Sequence, residues 1–427
     1  MMYNEQFPLI KKVFENSKKA PFYKNKYKGL IVNRLGDFQQ LPVLTRQELY
    51  ENSYPKTLNM LTIPEKNFIV TSTGGSTGIA RYTVLTYEEW DKFVDMQAFA
   101  FKKLGVKDSD IIANIFVAGS LWPSFIASHD VIKKIGAIHL PISANIDIEK
   151  IYHYCLEFQP TVIISLPTLF VFLADKVNEK GKKFTRLHTI LYAGEHMSKE
   201  VRDYISKTLK VNNIKALAYT SADAGLMGYQ CEYCKPNEYH LPVKFQCIEI
   251  WDFEKNKPCE YNEEGEILVT NLARLSMPII RYKIGDVAYW KKGACKCNDT
   301  NPLYTLCGRA GDDFKLGGAY ISMNIFDKAI GKFAGKNSIS MNYCFEIEDI
   351  GNKIALSLKI ESGNPEKSKK YLDLIKKEII ENIPEIKTGL SIDYIKFFNI
   401  EFVKLGTLER NKITGKIKKL IDERVKE

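Results

Sequence analysis

Apolar and polar positions switch period along this chain. Phe7, Ile10, Val13 and Phe14 recur at helical spacing. Thr45 with Glu48 marks a capped helix start. Residues 67–71 and 79–86 read as two strands, and Thr86 caps a helix whose apolar face would be Tyr87, Trp90, Phe93, Met96, Phe99 and Ala100. Residues 110–117 form an almost unbroken apolar run, the mark of a strand buried on both faces. A helix over about 120–135 and strands over 137–142, 161–165, 188–192 and 214–219 continue the alternation. That alternation predicts an α/β class.

From about 240 to 310 the pattern turns strand-rich, with runs at 245–251, 265–270, 278–282 and 286–290. It fits an antiparallel barrel or small sheet attached to the main body. Beyond Gly308-Arg-Ala-Gly-Asp-Asp313 the pattern is short and mixed. It predicts a strand over 354–360, a helix over 369–382, and strands over 391–396 and 400–403. The expected organisation is a large N-terminal α/β domain (residues 1–311, β-rich at about 240–310) and a small mobile α+β C-terminal domain (residues 312–427).

The length of 427 residues suits at least two domains, and 45% hydrophobic with 26% charged residues is ordinary for a globular chain. No apolar run is long enough to span a membrane, and the N-terminus lacks a signal-peptide form, so a cytoplasmic setting is expected. The net charge of +10 comes mostly from scattered Lys, with a local excess at 410–419. No nucleic-acid motif accompanies it, and a site for a polyanionic small molecule explains a basic balance equally well. A monomer or a homodimer is equally compatible with these features.

Nine Cys in such a setting argue for thiols rather than disulfides. Cys231, Cys234, Cys295 and Cys297 form two close pairs, and His240 lies between them. Those spacings fit a closed tetrahedral zinc site.

The stretch with the most chemical content is Thr71-Ser-Thr-Gly-Gly-Ser-Thr-Gly78. A Gly/Ser/Thr turn between strands has nothing apolar to bury and brings N–H groups and hydroxyls close to an anion. It lacks the Gly-Lys-Ser/Thr ending of a Walker loop. Tyr192-Ala-Gly-Glu195, Tyr219-Thr-Ser-Ala-Asp223, Arg281-Tyr-Lys-Ile-Gly-Asp286, Gly308-Arg309 with Asp312-Asp313, and Thr414-Gly-Lys-Ile417 follow in order.

This ordered set resembles the adenylate-forming (AMP-binding) superfamily of acyl-CoA synthetases, and within it the phenylacetate-CoA ligase and coenzyme F390 synthetase branch. The resemblance spans residues 67–417. It implies ATP-dependent activation of a carboxylic acid, by family leaning aryl or arylacetic, as an acyl-adenylate. The acyl group would then pass to a thiol, either coenzyme A or a carrier protein, or to a partner transferase or reductase. AMP transfer to a cofactor, acyl-protein synthesis and a non-catalytic zinc-stabilised binding protein are alternatives on the same fold.

The resemblance also implies roles. Ser72, Thr73, Gly74, Gly75, Ser76, Thr77 and Gly78 would wrap the phosphates. Thr220 and Asp223 would stand at the magnesium ion, with a helix N-cap as the plain alternative for Asp223. Ala193, Gly194 and Glu195 would border the adenine, and Tyr219 would stack on it. Asp286 would hold the ribose with support from Arg309, unless the two form only a structural ion pair. Lys416 would bridge carboxylate and α-phosphate, unless it is a solvated charge like its Lys neighbours. Asp312 or Asp313 would be the hinge. Trp122, Phe125, His139, Leu217 and Ala218 are candidates for the acyl pocket. The branch's zinc ligands correspond to Cys234, His240, Cys295 and Cys297, with Cys231 competing for the first place. The chain departs from the family pattern in lacking a Lys just after the Gly-rich loop, where Arg81 is the nearest cation, and in carrying Asp223 in place of Glu.

Overall fold

The structure is a computed structural model that describes residues 2–73, 81–309, 314–316, 319–351, 353–410 and 416–424. The chain forms two compact units. One comprises residues 1–114, 118–141 and 215–310; the other comprises 115–117, 142–214 and 311–427.

The first unit begins with the helix Met2–Ser17, which buries Ile10, Val13 and Phe14 completely. Thr45 and Glu48 form the capping box expected of them. Strands Phe68–Ser72 and Tyr82–Thr86 pair antiparallel, from Phe68↔Thr86 to Ser72↔Tyr82, so they present the two ends of the Gly-rich loop side by side. Thr86 then caps the helix Tyr87–Lys103 by accepting from the N–H of Glu89. The Glu89 carboxylate also accepts from the N–H groups of Leu275 and Ser276 at 2.7 and 2.8 Å, so one side chain caps the helix and anchors a distant loop. The buried face of this helix includes Trp90, Val94, Gln97 and Phe101. Tyr87 and Phe99, expected on that face, are exposed. The paired stripe at i, i+4 and i+7 governs the packing here rather than the count of aromatics.

The β-rich part of this unit is an open six-stranded antiparallel sheet, not a barrel. Its spatial order is Glu238–His240, Leu303–Arg309, Tyr282–Trp290, Gly265–Asn271, Gln246–Asp252, Lys257–Pro258. Along Tyr282–Trp290, burial alternates strictly residue by residue, as one covered face requires. Residues 278–281, expected as a strand, are not one. Arg281 takes the left-handed conformation (φ 47°), which breaks extension just before the true strand starts. Strands Ile111–Asn114 and Ile138–Leu140 pair in parallel.

In the second unit, strands Val162–Ser165 and Thr189–Tyr192 are parallel and wholly buried, as their apolar runs predicted. A four-stranded sheet has the order Ile395–Lys404, Lys353–Ser362, Ile339–Ile350, Leu420–Asp422. Residues 391–396 were expected to be extended. Instead Pro384–Ser391 is a helix, and Asp393 at φ 58° turns the chain into one long strand. The strand Ile339–Ile350 escaped the pattern because Ser340 and Asn342 are polar yet buried. Their partners come from elsewhere: Ser340 Oγ donates to Asp175 at 2.8 Å, and Asn342 to Glu361 at 3.3 Å.

Asp175 is buried on the helix Pro167–Lys180 and also accepts from the Tyr204 hydroxyl. Burial pushes its carboxyl up to about 7, against the opposing pull of the Tyr204 and Ser340 hydrogen bonds. A carboxyl raised on folding favours the folded state at low pH. That contribution is complete below about 4 and lost as pH rises through about 7. Asp175→Asn keeps an acceptor and removes the titration. Its stability should therefore gain on the wild type between pH 5 and pH 8, by at most about 3 kcal/mol. A pH-independent difference, measured by thermal denaturation, would contradict this.

Candidate active site

The stems of the Gly-rich loop are closed by two hydrogen bonds. Thr73 N–H donates to the Arg81 carbonyl at 2.9 Å, and Arg81 N–H to Thr73 Oγ1 at 3.0 Å. Ser72 is buried, and its N–H donates to the Leu121 carbonyl. Gly74, Gly75, Ser76, Thr77 and Gly78 lie outside the described residues.

The side chain of Arg81 turns from the loop's exit to Asp223. Its Nε and Nη2 lie 2.9 and 2.8 Å from Asp223 Oδ2, and the Tyr282 hydroxyl donates to the same oxygen at 2.9 Å. Asp223 is 2% exposed, and its Oδ1 is buried with no partner among the described residues. Burial disfavours the Arg81 cation, but Asp223 more than compensates and its pKa is raised. The helix N-cap alternative for Asp223 does not hold: the residue sits in a turn between strands Tyr219–Ser221 and Gly225–Gly228. Thr220 pairs with Leu226 in that hairpin.

The Tyr219 hydroxyl donates to Asp286, and the Tyr219 ring lies 5.8 Å from that of Tyr239. Asp286 and Arg309 are directly opposed across neighbouring strands. Asp312 and Asp313 lie outside the described residues.

In the second unit, Ala193 N–H donates to the Ser165 carbonyl, so the 193–195 turn leaves the end of a parallel strand. Glu195 accepts from the backbone N–H and the hydroxyl of Thr168 at 3.1 and 2.7 Å. It thereby supplies the N-terminal acceptor that Leu166 cannot give to the helix Pro167–Lys180. Gly194 has φ 80°, and a Cβ there would come within 3.0 Å of Leu166. Lys416 reaches this turn from far along the chain, its Nζ donating to the Gly194 carbonyl.

Leu217 and Ala218 are buried, while Trp122 and Phe125 are half-buried. His139 Nδ1 lies 3.1 Å from His129 Nδ1, and burial followed by that neighbour pulls its pKa down to about 4. A cavity of about 50 Å³ lies in the first unit, against Thr71, Trp90, Phe93, Pro123, Ala222 and Gln246.

Four ligand atoms of Cys231, His240, Cys295 and Cys297 lie within 4.8 Å of one another. Cys231 and Cys295 sulfurs are 3.6 Å apart, and Cys297 Sγ is 3.4 Å from His240 Nε2. Zinc–sulfur bonds of about 2.3 Å in a tetrahedron set sulfur–sulfur edges near 3.8 Å, so these separations fit. His240 Nδ1 faces the Asn301 carbonyl at 3.1 Å, the contact that fixes the tautomer of a ligating imidazole. The Tyr229 ring stacks on His240 at 5.2 Å. Cys234, taken from the resemblance as the first ligand, stands beside this group. Its sulfur is 3.5 Å from that of Cys231 and accepts the Cys231 N–H. The group of four whose ligand atoms lie close enough to share one ion includes Cys231 rather than Cys234.

No protein-family profile matches the chain. It is 22% identical over 432 residues to a phenylacetate-coenzyme A ligase of Aromatoleum evansii, covering 98% of this chain and 92% of that protein. It is 22% identical to the Escherichia coli K12 phenylacetate-coenzyme A ligase, covering 82% and 79%. Among solved structures, a 2-hydroxyisobutyryl-CoA ligase in the postadenylation state superposes with a TM-score of 0.79 at 16% identity, covering 98% of this chain and 89% of that one. The fold is that of an adenylate-forming ligase. Within that class the chain is phenylacetate-CoA ligase-like, as the resemblance indicated.

The sequence alone did not reveal the Arg81–Asp223 pair, the Glu195 cap or the buried Arg274, which donates to the Asp223 carbonyl. The only available signal was the missing loop Lys with Arg81 close behind.

Two predictions follow from these contacts. Arg81→Met leaves a buried carboxylate unpaired and should cost about 3 kcal/mol in denaturant unfolding. Arg81→Met combined with Asp223→Asn should recover most of that, and no recovery would contradict the pairing. Metal analysis of the purified chain should find about one zinc per chain. Cys231→Ser should lose it and Cys234→Ser keep it; the reverse would restore the ligand set implied by the resemblance.

Proposed function

We propose that this protein is an AMP-forming carboxylic acid–thiol ligase. In the first step, a carboxylate oxygen bonds the α-phosphorus of ATP while the bond to the β-phosphate oxygen breaks and pyrophosphate leaves. In the second, a thiolate bonds the acyl carbon and AMP departs with the former carboxylate oxygen. Phenylacetate-CoA ligases on one side and the adenylate-bound neighbour on the other support this reading. So do ATP as the activating substrate and coenzyme A as the acceptor, since one related structure holds an acyl-AMP together with CoA. A carrier-protein thiol is the further acceptor this reading allows.

The observation that carries the proposal is Lys416 on the Gly194 carbonyl. A cation from the 414–417 motif there meets the 193–195 turn, where the adenylate would lie. Fixed positive charge at that place stabilises the charge developing at the α-phosphate. Ser72, Thr73 and residues 74–78 would cradle the β- and γ-phosphates. Tyr219 and Asp286 would hold the ribose, with Arg309. Ala193 and Gly194 would border the adenine, while Glu195 acts as a positioning residue through the helix it caps. Thr220 and the partnerless Oδ1 of Asp223 offer oxygen to a magnesium ion, which would neutralise phosphate charge. Residues 312–427 would form the mobile domain, hinged at Asp312 or Asp313. Zinc on Cys231, His240, Cys295 and Cys297 would be structural, tying the 231–240 loop to the 295–297 loop. A cytoplasmic setting belongs to the same reading.

A second reading, a non-catalytic binding protein, is favoured by one observation. Asp223 already spends one oxygen on Arg81 and Tyr282. Single-turnover kinetics with Lys416→Ala decide between them. Acyl-adenylate formation should fall by about 10²-fold or more. Thioester formation from supplied acyl-adenylate should change far less. Equal adenylate formation in both proteins would remove Lys416 from the mechanism.

A further inference from the structure

Arg410 and Ile417 pair antiparallel, so the chain before and after the Thr-Gly-Lys motif is held together. The Arg410 side chain reaches the helix Pro167–Lys180, where its guanidinium carbon lies 3.8 Å from the centre of the Phe172 ring. Its Nη2 is 3.7 Å from Glu361 Oε1. Glu361 is fully buried and is itself held, accepting from the Leu408 N–H at 3.1 Å and the Asn342 amide at 3.3 Å. Burial pulls the Arg410 pKa down, and Glu361, Glu195 and Asp175 oppose that pull. A guanidinium is planar and always charged, so a ring and a carboxylate together fix its place. Partial removal from water strengthens its hold on the ring.

The same helix carries the turn that Lys416 meets. Thr168 holds Glu195 from the first helical turn, and Phe172 stands four residues later on the same face. The contacts therefore close a ring. It runs from Arg410 to Phe172, along the helix to Thr168, through Glu195 to Gly194, across to Lys416, and back by Ile417 to Arg410. All of these residues belong to the second unit. A Lys side chain is a flexible stem with three rotatable donors, so one bond to a carbonyl does not fix where its charge sits. Arg410 ties the 414–417 motif to the helix independently of that bond.

We propose that Arg410 is a positioning residue for the first step, holding Lys416 at the 193–195 turn by gripping Phe172 and Glu361. The inference rests on the ligase reading for the role of Lys416. Arg410 acts through Lys416, so its loss should weaken adenylate formation and leave the second step nearly unchanged.

The test combines single-turnover kinetics with amine labelling. In Arg410→Ala, acyl-adenylate formation should fall by about tenfold or more, as expected when a catalytic charge is misplaced. Thioester formation from supplied acyl-adenylate should stay within about threefold of the wild type. Arg410→Lys, which keeps the charge and loses the planar stack, should fall between the wild type and Arg410→Ala. Adding Arg410→Ala to Lys416→Ala should slow adenylate formation no further. Unchanged adenylate formation, an equal loss in both steps, or a further loss in the double variant would each overturn the proposal. If Arg410→Ala does not fold, Phe172→Leu removes only the ring beneath the guanidinium and should show the same split between steps. Acetylation by acetic anhydride, followed by mass spectrometry, reports on Lys416 without turnover. The labelling ratio of Lys416 to Lys418 should rise in Arg410→Ala, and an unchanged ratio would overturn the anchoring. If the wild type forms no acyl-adenylate with any acid, the ligase reading falls, and that ratio still decides whether Arg410 holds Lys416 in place.

Discussion

Asp223 is a carboxylate with almost no contact with water, and the organisation of the first unit's site depends on how its charge is met. Arg81 brings the exit of the Gly-rich loop to it, and Tyr282 brings the start of a central strand. Arg274 holds its backbone carbonyl. A single buried charge thus fixes three segments that are far apart in sequence. Leaving such a charge unpaired is strongly destabilising, so these segments must fold together. The missing Lys of the loop acquires a physical meaning in this light. Arg81 neutralises the Asp223 carboxylate.

The fold was legible where one period ruled a segment. The wholly buried strands Val162–Ser165 and Thr189–Tyr192, the capping box at Thr45 and the helix cap at Thr86 stand where the sequence placed them. Misreadings cluster where a left-handed residue or a buried polar group overrides the local pattern. Arg281 and Asp393 each interrupt a stretch that reads as extended. Ser340 and Asn342 hide a long strand because their partners, Asp175 and Glu361, are distant in sequence. The candidate site divides in the same way. Motif order singles out Tyr219, Asp223, Asp286 and Lys416 as candidates, but long-range pairs such as Thr168–Glu195 and Lys416–Gly194 have no local trace.

The cysteine group shows how far spacing can lead. Close pairs of Cys with an intervening His suggest a metal site, yet Cys231 and Cys234 are equivalent by spacing alone. Backbone geometry separates them. The Cys231 N–H donates to the Cys234 sulfur, while the Cys231 sulfur turns toward Cys295. The His240 contact with Asn301 then leaves Nε2 facing Cys297.

The central claim is that the chain activates a carboxylic acid through an acyl-adenylate. The most direct measurement is isotope exchange between pyrophosphate and ATP in the zinc-loaded protein, with and without added acids and with no thiol present. The account predicts exchange that requires magnesium and an acid and proceeds without coenzyme A. Exchange absent with every acid, in protein shown to be folded and metal-loaded, would contradict it.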